Sequence, residues 1–581
     1  MLFHGIGAAP GLAVAKSLVI RPLPKLTAAN QSIESAQIDA ELGRFKQAVE
    51  HAGGQLEAII ARARKSGDET KADIVEAQSM MLTDPTLEDG VREKISTQLY
   101  SAVRAVGETI AEQADIMAGL DDPYLRERGA DVKDIGSRLA SILLGVQEQD
   151  LSMLPEEVIL VGQEITTSQM ASLDVSKVKG IVAEMGGKTS HTAILANNMG
   201  IPAVLGCPGI LDAIGDGELV SVDGDAGNVE TQIDSRRFAG IEGDIVRRKS
   251  IKDSLNELID KPARTRDGVA VELAANIMDP EGAAKATELG ADGIGLYRTE
   301  FLFMDRNSAP TEEEQYEAYA KVLKRMQGKP VIIRTLDIGG DKKIAYLNLP
   351  KEENPFLGYR AIRICLQEKA LFMTQLRAIL RAGVHGRALI MYPMIASVEE
   401  VRAANQILQE AKESLRTEGL PFDDTLQAGI MVEIPSAAVM ADLLILEAAF
   451  FSIGSNDLTQ YTLAVDRMNE KISKLYNPFQ PGVLRLIRTV IETANQAGGG
   501  KFVGMCGEMA SDPVATLLLL GLGLTEFSVN PSALLRIKKI ITSVDMTYAR
   551  EVAAKAMQLS TADEIVLYLS AAIPKELQDY L

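Results

Sequence analysis

The second half of this chain alternates short apolar segments with longer amphipathic ones, eight times over. Short apolar runs bounded by turn residues are typical of buried strands, and the longer segments have the spacing of helices. Parallel strands joined by helices over about 300 residues predict a closed (β/α)8 TIM barrel. The predicted strands are Val271–Ile277, Gly293–Tyr297, Val331–Leu336, Leu389–Tyr392, Ala428–Glu433, Phe451–Ser455, Phe502–Cys506 and Glu526–Val529.

Between residues 32 and 144 the pattern is helical throughout. Apolar residues such as Ile38, Leu42, Phe45 and Val49 recur every three or four positions and form one face of a helix. Several long helices with short connections predict a bundle. After the first helix, further helices are predicted near 68–82, 86–118 and 122–144.

Short strands flank this bundle on both sides. One is predicted at 11–20, and others at Val158–Val161, Gly180–Ala183 and Ala203–Leu205. We therefore predict a multidomain α/β plus all-α protein, in which the bundle is inserted into a small α/β domain. The predicted boundaries are 1–24 and 147–231 for the α/β domain, 25–146 for the helical domain, 232–262 for a linker helix and 263–581 for the barrel.

Composition narrows the possible partners and the compartment. The formal net charge of −20 argues against nucleic acid or an anionic membrane as the main partner, because both would repel the chain. Cys207, Cys365 and Cys506 are scattered and lack metal-ligand spacing, which is typical of a reducing compartment. No secretory signal or membrane-spanning apolar run is evident. We expect a cytoplasmic protein without membrane insertion.

A glycine-rich turn before a predicted helix contains His191, within Gly-Gly-Lys-Thr-Ser-His-Thr-Ala at 186–193. A helix N-terminus presents unpaired N–H groups and the positive end of the helix dipole, so it attracts phosphate. A histidine there is a candidate to carry a phosphoryl group on a ring nitrogen. A turn that contains a histidine by chance is the alternative, and this motif alone favours neither.

Charged residues cluster where the predicted barrel strands end, and a TIM barrel builds its active site there. The planar guanidinium group of arginine can form paired hydrogen bonds to a carboxylate or a phosphate, and carboxylate oxygens are typical ligands of Mg²⁺. A cysteine there is a candidate proton donor or nucleophile, with simple packing as the alternative. The pattern predicts a small ligand with both a phosphate and a carboxylate. The residues are Arg298, Arg334, Glu433, Asn456, Asp457 and Cys506, with Arg360 and Arg467 in loops on the same face.

Seven segments together resemble the enzyme I family of the bacterial sugar phosphotransferase system, the phosphoenolpyruvate-protein phosphotransferases. The resemblance extends over nearly the whole chain, and the motifs are highly specific in combination. The segments are 186–193, 295–304, 334–342, 352–363, 429–436, 451–461 and 504–510.

The resemblance implies a reaction and a role for each candidate residue. His191 would take the phosphoryl group of phosphoenolpyruvate and pass it to a histidine of the carrier protein HPr, releasing pyruvate, as the first step of sugar uptake. Glu433 and Asp457 match Mg²⁺ ligands, and Cys506 matches the residue that protonates the enolate of pyruvate. The residues matched to phosphoenolpyruvate binding are Arg298, Arg334, Arg360, Asn456 and Arg467.

The resemblance also implies partners and motion. The helical insertion corresponds to the HPr-docking domain, and the barrel to the domain that forms a homodimer. Because one histidine must reach both the barrel and the carrier, we expect the α/β domain to swivel. The expected hinges are near 22–30, 145–150 and 231–262.

Two positions depart from the family pattern. Met170 stands where relatives often have a threonine that bonds the phosphohistidine, and Thr166, Thr167 and Ser168 are nearby candidates to replace it. Gln78 stands where many relatives have a histidine in the segment that docks HPr, so the contacts with HPr are expected to differ.

Two alternative functions remain from the sequence. Pyruvate phosphate dikinase and phosphoenolpyruvate synthase share the phosphohistidine and barrel, but they need an ATP-binding domain of about 200 residues, for which no suitable segment is evident. The other alternative is a non-catalytic signalling scaffold that only docks HPr-like partners. The intact His191, arginines and acids argue against it, and pyruvate release would distinguish the two.

Overall fold

The computed structural model describes residues 1–20, 32–65, 69–118, 123–146, 151, 154–188, 190–304, 306–340, 344–347, 349, 351–469 and 471–581. The chain forms two compact units, Met1–Lys249 and Ser250–Leu581. No helix within the described ranges has both the length and the apolar character that crossing a membrane requires.

The first unit contains a mixed eight-stranded sheet in the order β1-β8-β7-β3-β4-β5-β6-β2. Strand β3 pairs in parallel with β4, although the helical segment separates them in sequence. Strand β8 pairs antiparallel with β1 and with β7, and β2 pairs antiparallel with β6. Strands β1, β2, β7 and β8 were not predicted from the sequence, because they are too short to show a clear alternation. The strands are β1 Leu2–His4, β2 Ile6–Ala9, β3 Leu12–Ile20, β4 Val158–Gly162, β5 Val178–Ala183, β6 Ala203–Leu205, β7 Leu219–Asp223 and β8 Asn228–Thr231.

The helices of this unit include the predicted bundle, whose core contains Phe45, Leu56 and Leu139. The single helix predicted at 86–118 was wrong, since Leu99 adopts a left-handed conformation with φ 54° and ends one helix before another begins. Leucine gives no sequence signal for such an end, unlike glycine. The helices are α1 Ile38–Lys65, α2 Glu69–Leu82, α3 Pro85–Gln98, α4 Ala102–Ala118, α5 Pro123–Leu144, α6 Thr167–Ser172, α7 His191–Met199 and α8 Ile210–Ala213, and α9 Ser235–Asn256 begins in this unit and ends in the second.

The second unit is built on a closed barrel of eight parallel strands, which confirms the predicted fold class. Each predicted strand end lies within two residues of the observed one. The strands are β9 Glu272–Ile277, β10 Gly293–Arg298, β11 Val331–Arg334, β12 Ala388–Tyr392, β13 Gln427–Val432, β14 Phe450–Ile453, β15 Phe502–Met505 and β16 Glu526–Val529.

Helices surround the barrel, and several begin at side-chain caps that the sequence makes recognisable. Thr311 and Ser397 each form a capping box with a glutamate three residues later, which satisfies free N–H groups of the first turn. The helices are α10 Pro280–Glu288, α11 Glu312–Met326, α12 Ile362–Gln367, α13 Lys369–Ala382, α14 Val398–Glu418, α15 Pro435–Val439, α16 Ala441–Glu447, α17 Ser455–Leu463, α18 Pro481–Ala497, α19 Pro513–Leu522, α20 Leu534–Thr542, α21 Met546–Ala556 and α22 Ala562–Ala572.

The carboxyl group of Glu526, at the start of β16, is buried. Neither of its oxygens has a hydrogen-bond partner among the described residues. Burial, and then repulsion from Glu272 on the adjacent strand, raises the pKa of Glu526 to about 8. The side chain is therefore mainly a neutral acid near pH 7.

Replacing Glu526 with glutamine is expected to weaken the dependence of stability on pH. The ordinary pKa is 4.5, so between that value and about 8 the unfolded chain releases a proton that the folded protein keeps. The free energy of unfolding of the wild type should therefore fall as the pH rises through this range, by up to about 1.4 kcal/mol per pH unit, relative to Glu526→Gln. Urea unfolding of both proteins between about pH 6 and pH 8 measures the difference. Parallel profiles would contradict the expectation.

Candidate active site

Two arginines at the C-terminal end of the barrel are held by buried carboxylates, one of which they share. Arg334, the last residue of β11, lies with Nη2 2.7 Å from Oε1 of Glu300 and 3.2 Å from Oδ2 of Asp337. Arg360 donates from Nη2 to the other oxygen of Asp337 at 3.1 Å. All four side chains are buried. Asp337 therefore bridges the two guanidinium groups and fixes their separation.

Both arginines keep their positive charge although they are buried. Burial alone would lower the pKa of Arg334, but Glu300, Asp337 and Glu433 outweigh it and raise the pKa above its ordinary value. The same balance, with Asp337 and Asp457 as the main anions, raises the pKa of Arg360. Both groups therefore remain cationic donors at any physiological pH.

The loop that carries Arg360 is strained. The next residue, Ala361, is buried and has φ 50° and ψ −123°, a conformation that alanine rarely adopts. Such strain persists only where surrounding contacts over-determine the backbone. Here those contacts include the ion pair to Asp337 and a hydrogen bond from Arg360 Nη1 to the Tyr461 hydroxyl at 3.2 Å.

Two acidic side chains lie beside the arginines. Glu433 follows β13, is fully buried, and accepts a hydrogen bond from the Met394 N–H at 2.6 Å. Burial, then repulsion from Asp457 and Asp337, raises its pKa. Asp457 lies with Oδ1 3.8 Å from Arg360 Nη1, and that oxygen has no hydrogen-bond partner among the described residues.

The sequence prediction of a strand through Ser455 was wrong in detail. Strand β14 ends at Ile453 and α17 begins at Ser455, so Asn456 and Asp457 lie in the first turn of a helix. The Asn456 side chain accepts a hydrogen bond from the N–H of Glu508 at 2.9 Å. This bond ties the first turn of α17 to the loop that follows β15.

Arg298 and Arg467 lie at the edges of this array. Arg298 ends β10 directly beside Arg334 in the strand register and is half-buried. Arg467 is anchored by its backbone N–H, which donates to Gln460 at 3.1 Å. Its charge also partly offsets the effect of burial on the pKa of Tyr476, whose hydroxyl donates to the Asn456 carbonyl.

Cys506 lies immediately after β15 and is buried. Its N–H donates to the Ile453 carbonyl at 3.1 Å, and its own carbonyl accepts from the Asn276 amide at 3.1 Å. Burial raises the pKa of the thiol to about 11. Near pH 7 the group is therefore a protonated thiol, the form that can donate a proton.

The predicted histidine lies in the first unit, at the start of α7. Helix α7 begins at His191, as predicted, and the Ser190 hydroxyl caps it by accepting from the Ala193 N–H at 3.3 Å. Thr192 donates to the Ile165 carbonyl at 2.8 Å, which fixes the first turn against the preceding loop. Thr189 and the His191 side chain lie outside the described residues.

The two departures from the expected pattern have packing roles. Met170 is fully buried in the apolar core of the first unit, and the Thr166 hydroxyl accepts from the Gln169 N–H as the cap of α6. The side chains of Thr167 and Ser168 lie outside the described residues. Gln78 on α2 is buried, and its side-chain amide donates a hydrogen bond to Asp134 on α5 at 3.0 Å.

Sequence reasoning missed three residues that organise the array: Glu300, Asp337 and Tyr461. The first two follow β10 and β11 at spacings of two and three residues from Arg298 and Arg334, and that proximity to strand ends was an available signal. Tyr461 lies in α17, and no sequence feature distinguishes it from a residue of the helix core.

Comparison with known proteins gives consistent matches along the chain. Three sequence models of PEP-utilising enzymes match: the N-terminal domain over residues 4–128, the mobile domain over 154–227 and the PEP-binding domain over 252–546. Among solved structures, the NMR solution structure of Enzyme I (nEIt) covers 42% of this chain and 99% of its own, at 34% identity and a TM-score of 0.38.

Two relatives that match nearly the whole chain are phosphoenolpyruvate-protein phosphotransferases. The phosphoenolpyruvate-protein phosphotransferase of Bacillus subtilis (strain 168) is 45% identical over 565 residues, which cover 97% of this chain and 98% of the relative. The protein of the same name from Geobacillus stearothermophilus is 44% identical over 97% of both chains. By this identity and coverage, the chain belongs to the phosphoenolpyruvate-protein phosphotransferase family.

Proposed function

We propose that this enzyme transfers the phosphoryl group of phosphoenolpyruvate to His191, and from His191 to a histidine of the carrier protein HPr, releasing pyruvate. The observation that carries the proposal is the buried array in which Asp337 bridges Arg334 and Arg360. Such an array presents two fixed cationic forks to a small ligand with two anionic groups. Phosphoenolpyruvate has a carboxylate and a phosphate.

In this proposal Arg298, Arg334, Arg360, Asn456 and Arg467 bind the substrate. Fixed, desolvated donors stabilise developing charge without reorganising during the reaction. The ion pairs of Arg334 and Arg360 supply that fixation. The less constrained Arg298 adjusts to the substrate, since it has no ion-pair partner among the described residues.

His191 attacks the phosphorus as a neutral imidazole. Phosphoryl transfer depends mainly on positioning and charge stabilisation, because the transferred group is loosely bonded at the transition state. The N–H groups of the first turn of α7 favour the phosphorylated histidine, as they favour any phosphate at a helix N-terminus. The side chain that replaces the threonine at Met170 is among Thr166, Thr167 and Ser168.

The residues at the barrel mouth fit a divalent cation, and we assign Mg²⁺. Glu433 and Asp457 are buried carboxylates that repel each other, and Asp457 Oδ1 lacks a partner among the described residues. No group of three or more histidine, cysteine or acidic side chains converges on a metal position within those residues. Two carboxylates plus substrate phosphate and water are the ligands that Mg²⁺ usually takes. When bound, the ion neutralises negative charge on the phosphoryl oxygens.

Loss of the phosphoryl group leaves the enolate of pyruvate. The Cys506 thiol donates its proton to the enolate carbon, which completes pyruvate and makes the transfer hard to reverse. The buried, protonated state of this thiol supports the assignment.

We further propose that HPr docks on the helical segment of the first unit, that two chains associate through their barrels, and that the α/β part swivels between barrel and carrier. The exposed Ile116 on α4, together with Met81 and Met117, offers an apolar groove for a partner. The three free, buried cysteines are consistent with a cytoplasmic location.

Removing the Tyr461 hydroxyl is expected to weaken substrate binding with little loss of stability. This hydroxyl accepts from Arg360 and donates to the Phe356 carbonyl, so it connects an arginine to its loop. Tyr461→Phe should raise the KM for phosphoenolpyruvate by about five- to tenfold, corresponding to about 1 kcal/mol. A coupled pyruvate assay measures it. An unchanged KM would show that Asp337 alone positions Arg360.

The proposed function is tested directly by mixing the protein with phosphoenolpyruvate, Mg²⁺ and HPr. We expect equal amounts of pyruvate and phosphorylated HPr, the second followed on a native gel. Docking of HPr without release of pyruvate would support the scaffold alternative. A requirement for ATP or inorganic phosphate would support the dikinase alternative.

A further inference from the structure

The side-chain amide of Gln375 connects helix α13 to the segments that follow two neighbouring strands of the barrel. Gln375 is buried, and its Oε1 accepts a hydrogen bond from the Leu336 N–H at 2.9 Å. Its Nε2 donates to the Thr299 hydroxyl at 3.1 Å. Thr299 directly follows β10, and Leu336 lies two residues after the end of β11. One side chain of the surrounding helix therefore holds both segments.

These two segments carry the charged array of the candidate active site. Thr299 stands between Arg298 and Glu300 in the chain. Its hydroxyl donates in turn to the Arg334 carbonyl at 2.8 Å. The segment after β11 continues into Asp337, which pairs with both buried arginines. The backbone positions of two arginines and of the carboxylates that hold them are thus linked, through hydrogen bonds and short stretches of chain, to one amide.

Backbone groups at the ends of this network fix its donor and acceptor roles. A backbone N–H can only donate, so the Gln375 oxygen faces Leu336. A carbonyl can only accept, so the Thr299 hydroxyl donates to Arg334 and accepts from the Gln375 nitrogen. The other hydrogen of that nitrogen is donated to the Tyr319 hydroxyl at 3.2 Å. The amide therefore fits in one orientation.

Packing alone does not require an amide at this position. Burying an amide costs free energy, which only its hydrogen bonds offset. A buried network whose members are all paired makes the backbone segments that it joins more rigid. The apolar neighbours of Gln375 on the buried face of α13 are Phe372, Leu376 and Ile379.

We propose that Gln375 is a positioning residue for phosphoryl transfer. It fixes the separation of the two segments, and with it the separation of Arg298 and Arg334. The inference rests on the proposed function, in which both arginines bind phosphoenolpyruvate. Gln375 acts through the backbone and not on the substrate. A misplacement of about 1 Å in such groups can slow a reaction by about a hundredfold, so loss of this amide should act mainly on the rate of the chemical step.

The test replaces Gln375 with methionine, which is unbranched and has no amide. Gln375→Met and the wild type are mixed with phosphoenolpyruvate and Mg²⁺ in a quench-flow instrument without HPr, well below the Tm of both proteins. Pyruvate formed in the first turnover is measured at several phosphoenolpyruvate concentrations. The maximal rate should fall at least about fivefold, while the half-saturating concentration changes less than about threefold, because the cationic groups remain but are misaligned. A smaller fall in rate, or a larger change in the half-saturating concentration, would overturn the inference.

Gln315 on α11 provides the matched control. It is buried, its Nε2 donates to the Pro310 carbonyl at 3.0 Å, and its Oε1 accepts from the Tyr319 hydroxyl that Gln375 also contacts. Neither of its partners directly follows a barrel strand. Gln315→Met should lower the Tm and keep the maximal rate within about twofold of wild type. A rate as low as that of Gln375→Met would mean that Gln375 is only structural.

A second pair of variants keeps the test decisive if Gln375→Met folds poorly. Thr299→Val keeps the shape of the side chain but removes the hydroxyl, so its maximal rate should also fall at least about fivefold. Thr299→Ser retains the hydroxyl and should stay within about twofold of wild type. Equal rates in the two Thr299 variants would overturn the inference.

Failure of the proposed function has a different signature. Wild-type protein that releases no pyruvate from phosphoenolpyruvate would contradict the proposed function itself, before any variant is compared. An active wild type together with an unaffected Gln375→Met would contradict only the role of Gln375.

Discussion

Replacing His191 with alanine is expected to abolish the phosphoenzyme. Wild-type protein incubated with Mg²⁺ and phosphoenolpyruvate labelled in its phosphate should acquire label that is labile in acid and stable in base, as expected for phosphohistidine. His191→Ala should retain less than about 1% of it, because no other group replaces a covalent nucleophile. Release of pyruvate should be lost in parallel.

The chain contains its own controls for this experiment. It has only four histidines, and the other three are His4, His51 and His385. His51 is exposed on α1, and His385 is hydrogen-bonded to Tyr316 at 2.9 Å. Alanine variants of His4 and His51 and the variant His385→Gln should all label normally. Acid-labile, base-stable label that survives in His191→Ala would disprove the assignment of the phosphorylated residue.

Replacing Arg334 with methionine is expected to remove activity and also to destabilise the barrel. The side chain is buried with Glu300 and Asp337, so its loss leaves two buried carboxylates with reduced compensation. Breaking a buried ion pair in this way costs about 3–5 kcal/mol. Thermal unfolding should therefore show a clearly lower Tm.

Arg298 provides the matched comparison. It is adjacent to Arg334 in the register but only half-buried, and it has no ion-pair partner among the described residues. Arg298→Met should lose activity while its free energy of unfolding changes by no more than about 1 kcal/mol. If Arg334→Met loses no more stability than Arg298→Met, the carboxylates near Arg334 are satisfied by other groups.

The barrel could be predicted from sequence because its strands are short, apolar and regularly spaced. Local errors arose where neighbouring residues decide the conformation. Leu99 ends α3 in a left-handed conformation for which leucine has no preference, and the apolar pattern continued past Ile453 although a helix begins at Ser455. Periodicity identifies an element but does not show where its last residue lies.

The candidate site was predictable to the extent that strand ends define it. Arg334, Glu433 and Asp457 could be selected from sequence because a TIM barrel builds its active site from residues at the C-terminal ends of its strands. The counterions were not selected, since a carboxylate that holds an arginine looks the same in sequence as one on the surface. The buried position of Glu526 could not be predicted either. Only the register of the strands shows that glycines on β10 and β15 make room for its carboxyl group.

The carboxylate that Arg334 and Arg360 share has a consequence for changing the donor specificity of this enzyme. Arg334 and Arg360 both pair with Asp337, so substituting one changes the charge balance around the other, and the effects of the two substitutions should be far from additive. Mutational routes towards a donor of different shape would meet strong epistasis at this point. Engineering of the pocket is therefore better begun at Asp337 than at the residues that face the ligand.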